Sequence, residues 1–197
     1  MRTGRKSNNG GFSLVELIIV IAIMAILVGV MAISASSLTG RKVKKCADEI
    51  VSTIERTRVL TLGKEQNDVE CVLTYEGKEY HAKIYQKGTL VSDRIVGKDP
   101  IDIKVYFEDG ASATVSTCTQ PSATGYTLAE IDGKTPYATP GEKGLHLVFN
   151  RASGAFEQNT NEAGGHEKEY CRRIVVTNGS RTIEITTVGR TGKILTK

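Results

Sequence analysis

Gly11-Phe12-Ser13-Leu14-Val15-Glu16 runs directly into Leu17–Ile33, LIIVIAIMAILVGVMAI, seventeen residues in which only Gly29 is neither strongly apolar nor Ala. From Phe12 to Gly40, 29 residues, the only ionisable side chain is Glu16. A helix over that span would be about 43 Å long, enough to cross a bilayer core of roughly 30 Å. A soluble domain of this size has no use for such a run, so the chain is expected to meet a membrane.

Two devices produce the pattern. A secretory signal peptide has a basic start, an apolar centre and a small-residue cleavage site such as Ala32-Ile33-Ser34, and leaves a soluble product beginning near Ala35. A retained helix leaves an anchored one. The charged flanks do not separate them: Arg2, Arg5 and Lys6 precede the run, and Arg41, Lys42, Lys44 and Lys45 come after it. Three basic residues before and four after would, alone, disfavour export of the C-terminal part. Glu16 discriminates better, because an acid inside an apolar helix costs a few kcal/mol in lipid and marks a functional position by default.

Working outward, the 197-residue length fits one domain with an attached segment. The 40% apolar and 24% charged fractions exclude a collagenous or wholly disordered chain. Net charge is +4, distributed as +3 over residues 1–11, +2 over 12–63 and −1 over 64–197. A near-neutral body gives no general case for nucleic-acid binding. Residues 172–197 nevertheless carry Arg172, Arg173, Arg181, Arg190, Lys193 and Lys197 against Glu184 alone.

Beyond the apolar run the helix is expected to continue. Val43, Ala47, Ile50, Val51 and Ile54, with Cys46 beside them, recur at helical spacing, and charged residues fill the other faces. No Pro occurs before Pro100, and Gly63-Lys64 is a helix stop. The rest predicts strands and turns. Val69–Tyr75 and Glu79–Gln86 flank Glu76-Gly77-Lys78; Ile101–Phe107 and Leu145–Phe149 alternate; Cys171–Thr177 and Arg181–Thr187 flank Asn178-Gly179, a two-residue hairpin signal; a short strand comes after Gly192. Thr119–Gly144 and Glu157–Lys168 predict long polar loops. The fold class is therefore α+β: one long N-terminal helix packed on an antiparallel β-sheet domain.

Gly11-Phe12-Ser13-Leu14-Val15-Glu16 and the apolar run resemble the prepilin signature of type IV pilins and type II secretion pseudopilins. The resemblance implies a cytoplasmic leader over residues 1–11, a prepilin peptidase cut between Gly11 and Phe12, and N-methylation of Phe12. It implies a helix over 12–63, of which about 12–38 lies in the membrane and later in a filament core, and an extracytoplasmic β domain over 64–197. Glu16 stands four residues beyond Phe12, on the same helix face, and in the family pairs with the amine of a neighbouring subunit. Partners would be the peptidase, an inner-membrane assembly platform, other pilins and membrane lipid. The protein would be single-pass, then part of a pilus or of a secretion or competence pseudopilus. The layout is most similar to the GspH/FimT-like minor pseudopilins, through Ile54–Arg58 closing the helix, the phrases Phe107–Ala111 and Phe149–Gly154, and a terminal Ile185–Leu195 hairpin containing Gly189-Arg190. It departs from many relatives in having Ile33-Ser34-Ala35-Ser36 where they place a Pro, and in lacking Trp. Some members of that group bind DNA through a basic C-terminal segment, which makes Arg190 and Lys193 candidate DNA contacts.

Enzyme readings find no support. His81, His146 and His166 have no metal-ligand spacing, and His81 and His146 are expected on the surface or at a rim; Asp99 and Asp102 read as turn and strand-edge acids, and no phosphate-cradling glycine loop is present. No catalytic residue, metal or cofactor is expected. Cys46, Cys71, Cys118 and Cys171 are too far apart in sequence for a closely spaced metal site, and in an exported domain they allow three disulfide connectivities. Cys118–Cys171 and Cys46–Cys71 are the favoured pairs, against four buried thiols.

Overall fold

A computed structural model describes residues 13–63, 69–108, 124–133, 142–157, 160–168 and 170–197. The chain divides into two units, Met1–Leu38 and Thr39–Lys197. Helix α1 covers Leu14–Leu62 and ends at the expected Gly63, whose N–H bonds the Val59 carbonyl. In the first unit its described side chains, from residue 14 to residue 30, are all exposed.

In the second unit α1 turns Val43, Cys46, Ala47, Ile50 and Ile54 into the core, with Val51 half-buried beside them. The buried stripe then continues through Thr53, Thr57 and Thr61, which hydropathy does not flag as a core face. Each hydroxyl donates to the carbonyl four residues back, at 2.8, 2.9 and 3.0 Å, so a polar group enters the interior without an unmet bond.

Twelve described strands come next: β1 (Val69–Glu76), β2 (Glu79–Gln86), β3 (Thr89–Lys98), β4 (Asp102–Glu108), β5 (Tyr126–Thr127), β6 (Ile131–Gly133), β7 (Leu145–Val148), β8 (Asn161–Ala163), β9 (His166–Lys168), β10 (Tyr170–Thr177), β11 (Thr182–Val188) and β12 (Lys193–Thr196). They form three antiparallel sheets, in the orders β3-β2-β1-β7, β12-β11-β10-β4-β5 and β6-β8-β9. The α+β expectation stands. Alternation sorts the first sheet into two faces. Cys71 and Leu73 of β1 and Leu145 and Leu147 of β7 join the α1 side chains in the core. Glu70 and His146 point the other way, toward β6 and β8.

Four expectations change. Strand β3 is unforeseen: two register shifts against β2, between Tyr80 and His81 and between Ile84 and Tyr85, spoil its alternation, and as an edge strand it leaves Leu90, Val91 and Ile95 exposed. The loop expected over 119–144 contains β5, a single 3-10 turn over Leu128–Glu130 and β6, while its other parts lie outside the described residues. The loop expected over 157–168 contains β8 and β9, strands of three residues that are too short to show a period. The β10–β11 turn has four residues, because Thr177 pairs with Thr182. Asn178 Oδ1 accepts the N–H groups of Ser180 and Arg181, an Asx turn replacing the two-residue Asn-Gly turn.

Candidate functional site

At the start of α1, Ser13 Oγ accepts the backbone N–H of Glu16 at 3.2 Å, and the Ser13 carbonyl accepts from Leu17. Ser13-Leu14-Val15-Glu16 is thus an N-cap followed three residues later by an acid, a pattern legible in sequence as S-x-x-E and overlooked beside the apolar run. Glu16 lies in the first turn, where the helix dipole favours negative charge, and is solvent-exposed. Gly11 and Phe12 lie outside the described residues.

Between residues 14 and 30, thirteen large aliphatic side chains are each 48 to 74% exposed. Leaving that much apolar surface in water costs on the order of 20 kcal/mol, more than a domain's whole stability, so this segment requires an apolar environment. Among the described residues no helix is long and apolar enough to cross a membrane. The described apolar side chains cover seventeen residues, about 25 Å of helix rise, while the sequence carries the run on to Ile33.

Residues 6–33 match the prokaryotic N-terminal methylation motif. The match spans Lys6, Gly11-Phe12, Glu16 and the apolar run together. It supports a prepilin-type N-terminal signal of the kind found in pilins and pseudopilins. No curated protein and no solved structure matches the chain.

Arg190 and Lys193, the candidate DNA contacts, are both exposed, Arg190 in the β11–β12 turn and Lys193 at the start of β12. That turn is held from below by Arg58 of α1, whose Nε donates to the Gly154 carbonyl and whose Nη2 donates to the Thr191 carbonyl, both at 3.0 Å. Gly192 stands at φ +64°, and a Cβ there would lie 1.8 Å from the Gly154 oxygen, so only glycine lets the two turns stack on Arg58.

His81 is partly exposed, with Nδ1 2.9 Å from Asp93. His146 corrects the rim expectation: it is fully buried, as is Glu70, with His146 Nδ1 2.5 Å from Glu70 Oε1. Asn161 clamps the His146 backbone at both ends, its Oδ1 accepting the N–H at 2.7 Å and its Nδ2 donating to the carbonyl at 2.8 Å. Gly133 of β6 lies flat on the imidazole, where a Cβ would come within 2.0 Å of the ring. A pair so enclosed offers no substrate access. Among the described residues no three His, Cys, Asp or Glu side chains are grouped to hold a metal.

Cys46, Cys71 and Cys171 are free buried thiols, each pushed up to about 12 by burial. The expected Cys46–Cys71 bridge is not formed, and α1 explains why. The Cys71 thiol bonds Thr57, eleven residues along the helix from Cys46. That is about 16 Å of rise, where a disulfide needs Cα atoms within roughly 7 Å. Cys118 lies outside the described residues, and with it the Cys118–Cys171 pairing.

What sequence reasoning missed is an open basic groove of about 540 Å³ in the second unit. Arg41, Lys44, Lys45, Asp48, Glu49 and Ser52 of α1 form one wall; Arg94 of β3 and Arg181 of the β10–β11 turn close it. Arg94 Nη1 lies 3.5 Å from Glu49 Oε2, and Arg181 Nη1 reaches the Gly40 carbonyl at 3.5 Å. The cluster at 41–45 is visible in sequence as a flank. Its convergence with two arginines from separate sheets is a tertiary fact.

Proposed function

We propose that this chain is a prepilin-type pilin or pseudopilin, a structural subunit with a leader over residues 1–11 that is cut between Gly11 and Phe12 and methylated on Phe12. The helix over 12–38 anchors it in the membrane as a single pass, N-terminus inside, and later packs in a filament core; residues 64–197 form its extracytoplasmic part. The observation that carries this reading is the motif match over residues 6–33, in register with an acid four residues after Phe12 and a helix that begins at Leu14. Intact-mass and N-terminal peptide analysis tests it. The expected product begins at N-methyl-Phe12 and keeps the apolar helix; a soluble product beginning near Ala35 means signal-peptidase processing of a secreted β-rich protein instead.

Glu16 is the assembly residue of this reading. A buried acid and a buried amine each favour the register in which they meet, because breaking such a pair costs about 3–5 kcal/mol. Glu16→Ala is expected to leave cleavage and membrane insertion intact and to lower incorporation into sheared filaments. Assembly equal to the parent would reduce Glu16 to an interfacial acid.

Within this class the layout favours a minor subunit of the GspH/FimT-like kind. A DNA-uptake role is the second reading, favoured by the exposure of Arg190 and Lys193 on a turn braced by Arg58. If it holds, Arg190→Gln/Lys193→Gln weakens DNA retention and reduces its salt dependence; a parent that retains no DNA excludes it.

A further inference from the structure

We propose that the groove between Arg41, Lys44, Lys45, Arg94 and Arg181 binds the phosphates of anionic phospholipid headgroups and so seats the second unit on the membrane surface. The inference rests on the membrane-anchored reading above and adds a site to it. Five cations and two acids line the groove. Of these, Glu49 faces Arg94, while Arg41, Lys44 and Lys45 have no ion-pair partner among the described residues and are exposed. Such a concentration of like charge destabilises the free domain and is relieved by an anion.

Chain connectivity brings that anion close. Arg41 lies eight residues beyond Ile33, the last residue of the apolar run. Even a fully extended chain would keep it within about 28 Å of the run, which gives the groove a high effective concentration of headgroups whenever the run is in lipid. The same placement accounts for an anomaly in the sequence. Four basic residues on the exported flank oppose the usual charge rule, and the structure turns three of them into groove lining. Asp48 and Glu49 interrupt the basic wall farther along α1, which suits a compact headgroup held beside Arg41, Lys44 and Lys45 better than an extended nucleic-acid backbone.

The test uses the full chain in uncharged detergent, titrated separately with short-chain phosphatidylglycerol, short-chain phosphatidylcholine, inorganic phosphate and duplex DNA. Phosphatidylglycerol is expected to bind saturably and to weaken with salt, and phosphatidylcholine not to bind. Lys44→Gln/Lys45→Gln, two exposed helix positions where Gln is a comparable helix former, should weaken phosphatidylglycerol binding roughly 25-fold, about fivefold for each charge. Arg94→Gln/Arg181→Gln should weaken it independently from the other wall. Binding unchanged in both double variants overturns the site. Inorganic phosphate binding as tightly as phosphatidylglycerol makes it a free-anion site, and DNA competing for the same residues makes it a nucleic-acid surface; either overturns the lipid. Alkaline extraction of cell membranes separates the two readings. A retained chain without phosphatidylglycerol binding loses the groove and keeps the anchor, whereas an extracted chain loses the anchor itself.

Discussion

Glu70 and His146 are both fully buried on one face of the first sheet, and their energetics stem from that enclosure. A carboxylate this deep requires its partner, because an uncompensated charge in the interior costs several kcal/mol. His146→Leu is expected to destabilise the full chain in detergent by about 3–5 kcal/mol in urea denaturation. Adding Glu70→Leu to it should recover more than half of that loss, since two apolar groups remove the stranded charge. A double variant as unstable as the single one would show that the imidazole matters for packing against Gly133 and not for charge. The cysteines make the complementary point. With pKa values pushed up to about 12 by burial, Cys46, Cys71 and Cys171 stay protonated at neutral pH and lack the thiolate that reacts.

At the scale of elements, Arg58 ties the end of α1 to two turns remote in sequence. Phe156 N–H bonding the Gly189 carbonyl at 2.9 Å joins those turns to each other. Arg58→Met is expected to cost about 1.5–3 kcal/mol, the range for hydrogen bonds from a charged donor. It should also speed amide exchange at Phe156 and Gly192 while leaving the β1–β2 hairpin protected; uniform acceleration would mean global destabilisation without a local clamp. The elements also divide by how they signal themselves. β1, β2, β4, β7, β10, β11 and β12 were legible, because each alternates or abuts a turn such as Glu76-Gly77-Lys78. β3 was hidden by its bulges, and β5, β6, β8 and β9 by their length. The buried end of α1 was hidden by threonines whose hydroxyls are satisfied within the helix. Likewise Glu16 could be read from one contiguous motif, whereas the basic groove depends on Arg94 and Arg181 arriving from two sheets.

Over the whole molecule, pH acts through Lys83. Burial lowers its hold on the proton, but its hydrogen bonds and charge contacts with Glu142 and Glu76, at 2.8 and 2.6 Å, outweigh this and raise its pKa above the ordinary lysine range. A raised folded pKa gives stability that is complete below the unfolded value and lost as pH rises through the folded one. Glu76 is shifted the opposite way, its carboxyl lowered chiefly by the hydrogen bond from Lys83, so its contribution is present above the unfolded carboxylate pKa and fades as pH falls through the folded one. Denaturation midpoints of the full chain are expected to stay level across neutral pH and to fall at both the acid and the strongly alkaline ends. Lys83→Met should flatten the alkaline fall; an unchanged alkaline limb would assign it to other groups.

The stripe from Val43 to Ile54 lies along α1, not across it. Tension applied along this stretch of α1 runs in the same line. Pulled lengthwise, Val43, Cys46, Ala47, Ile50 and Ile54 are loaded in shear and resist together, where a sideways pull would peel them one at a time. Arg58, beyond the stripe and fastened to two turns, is then the stop that must slip before the helix can slide out of its domain.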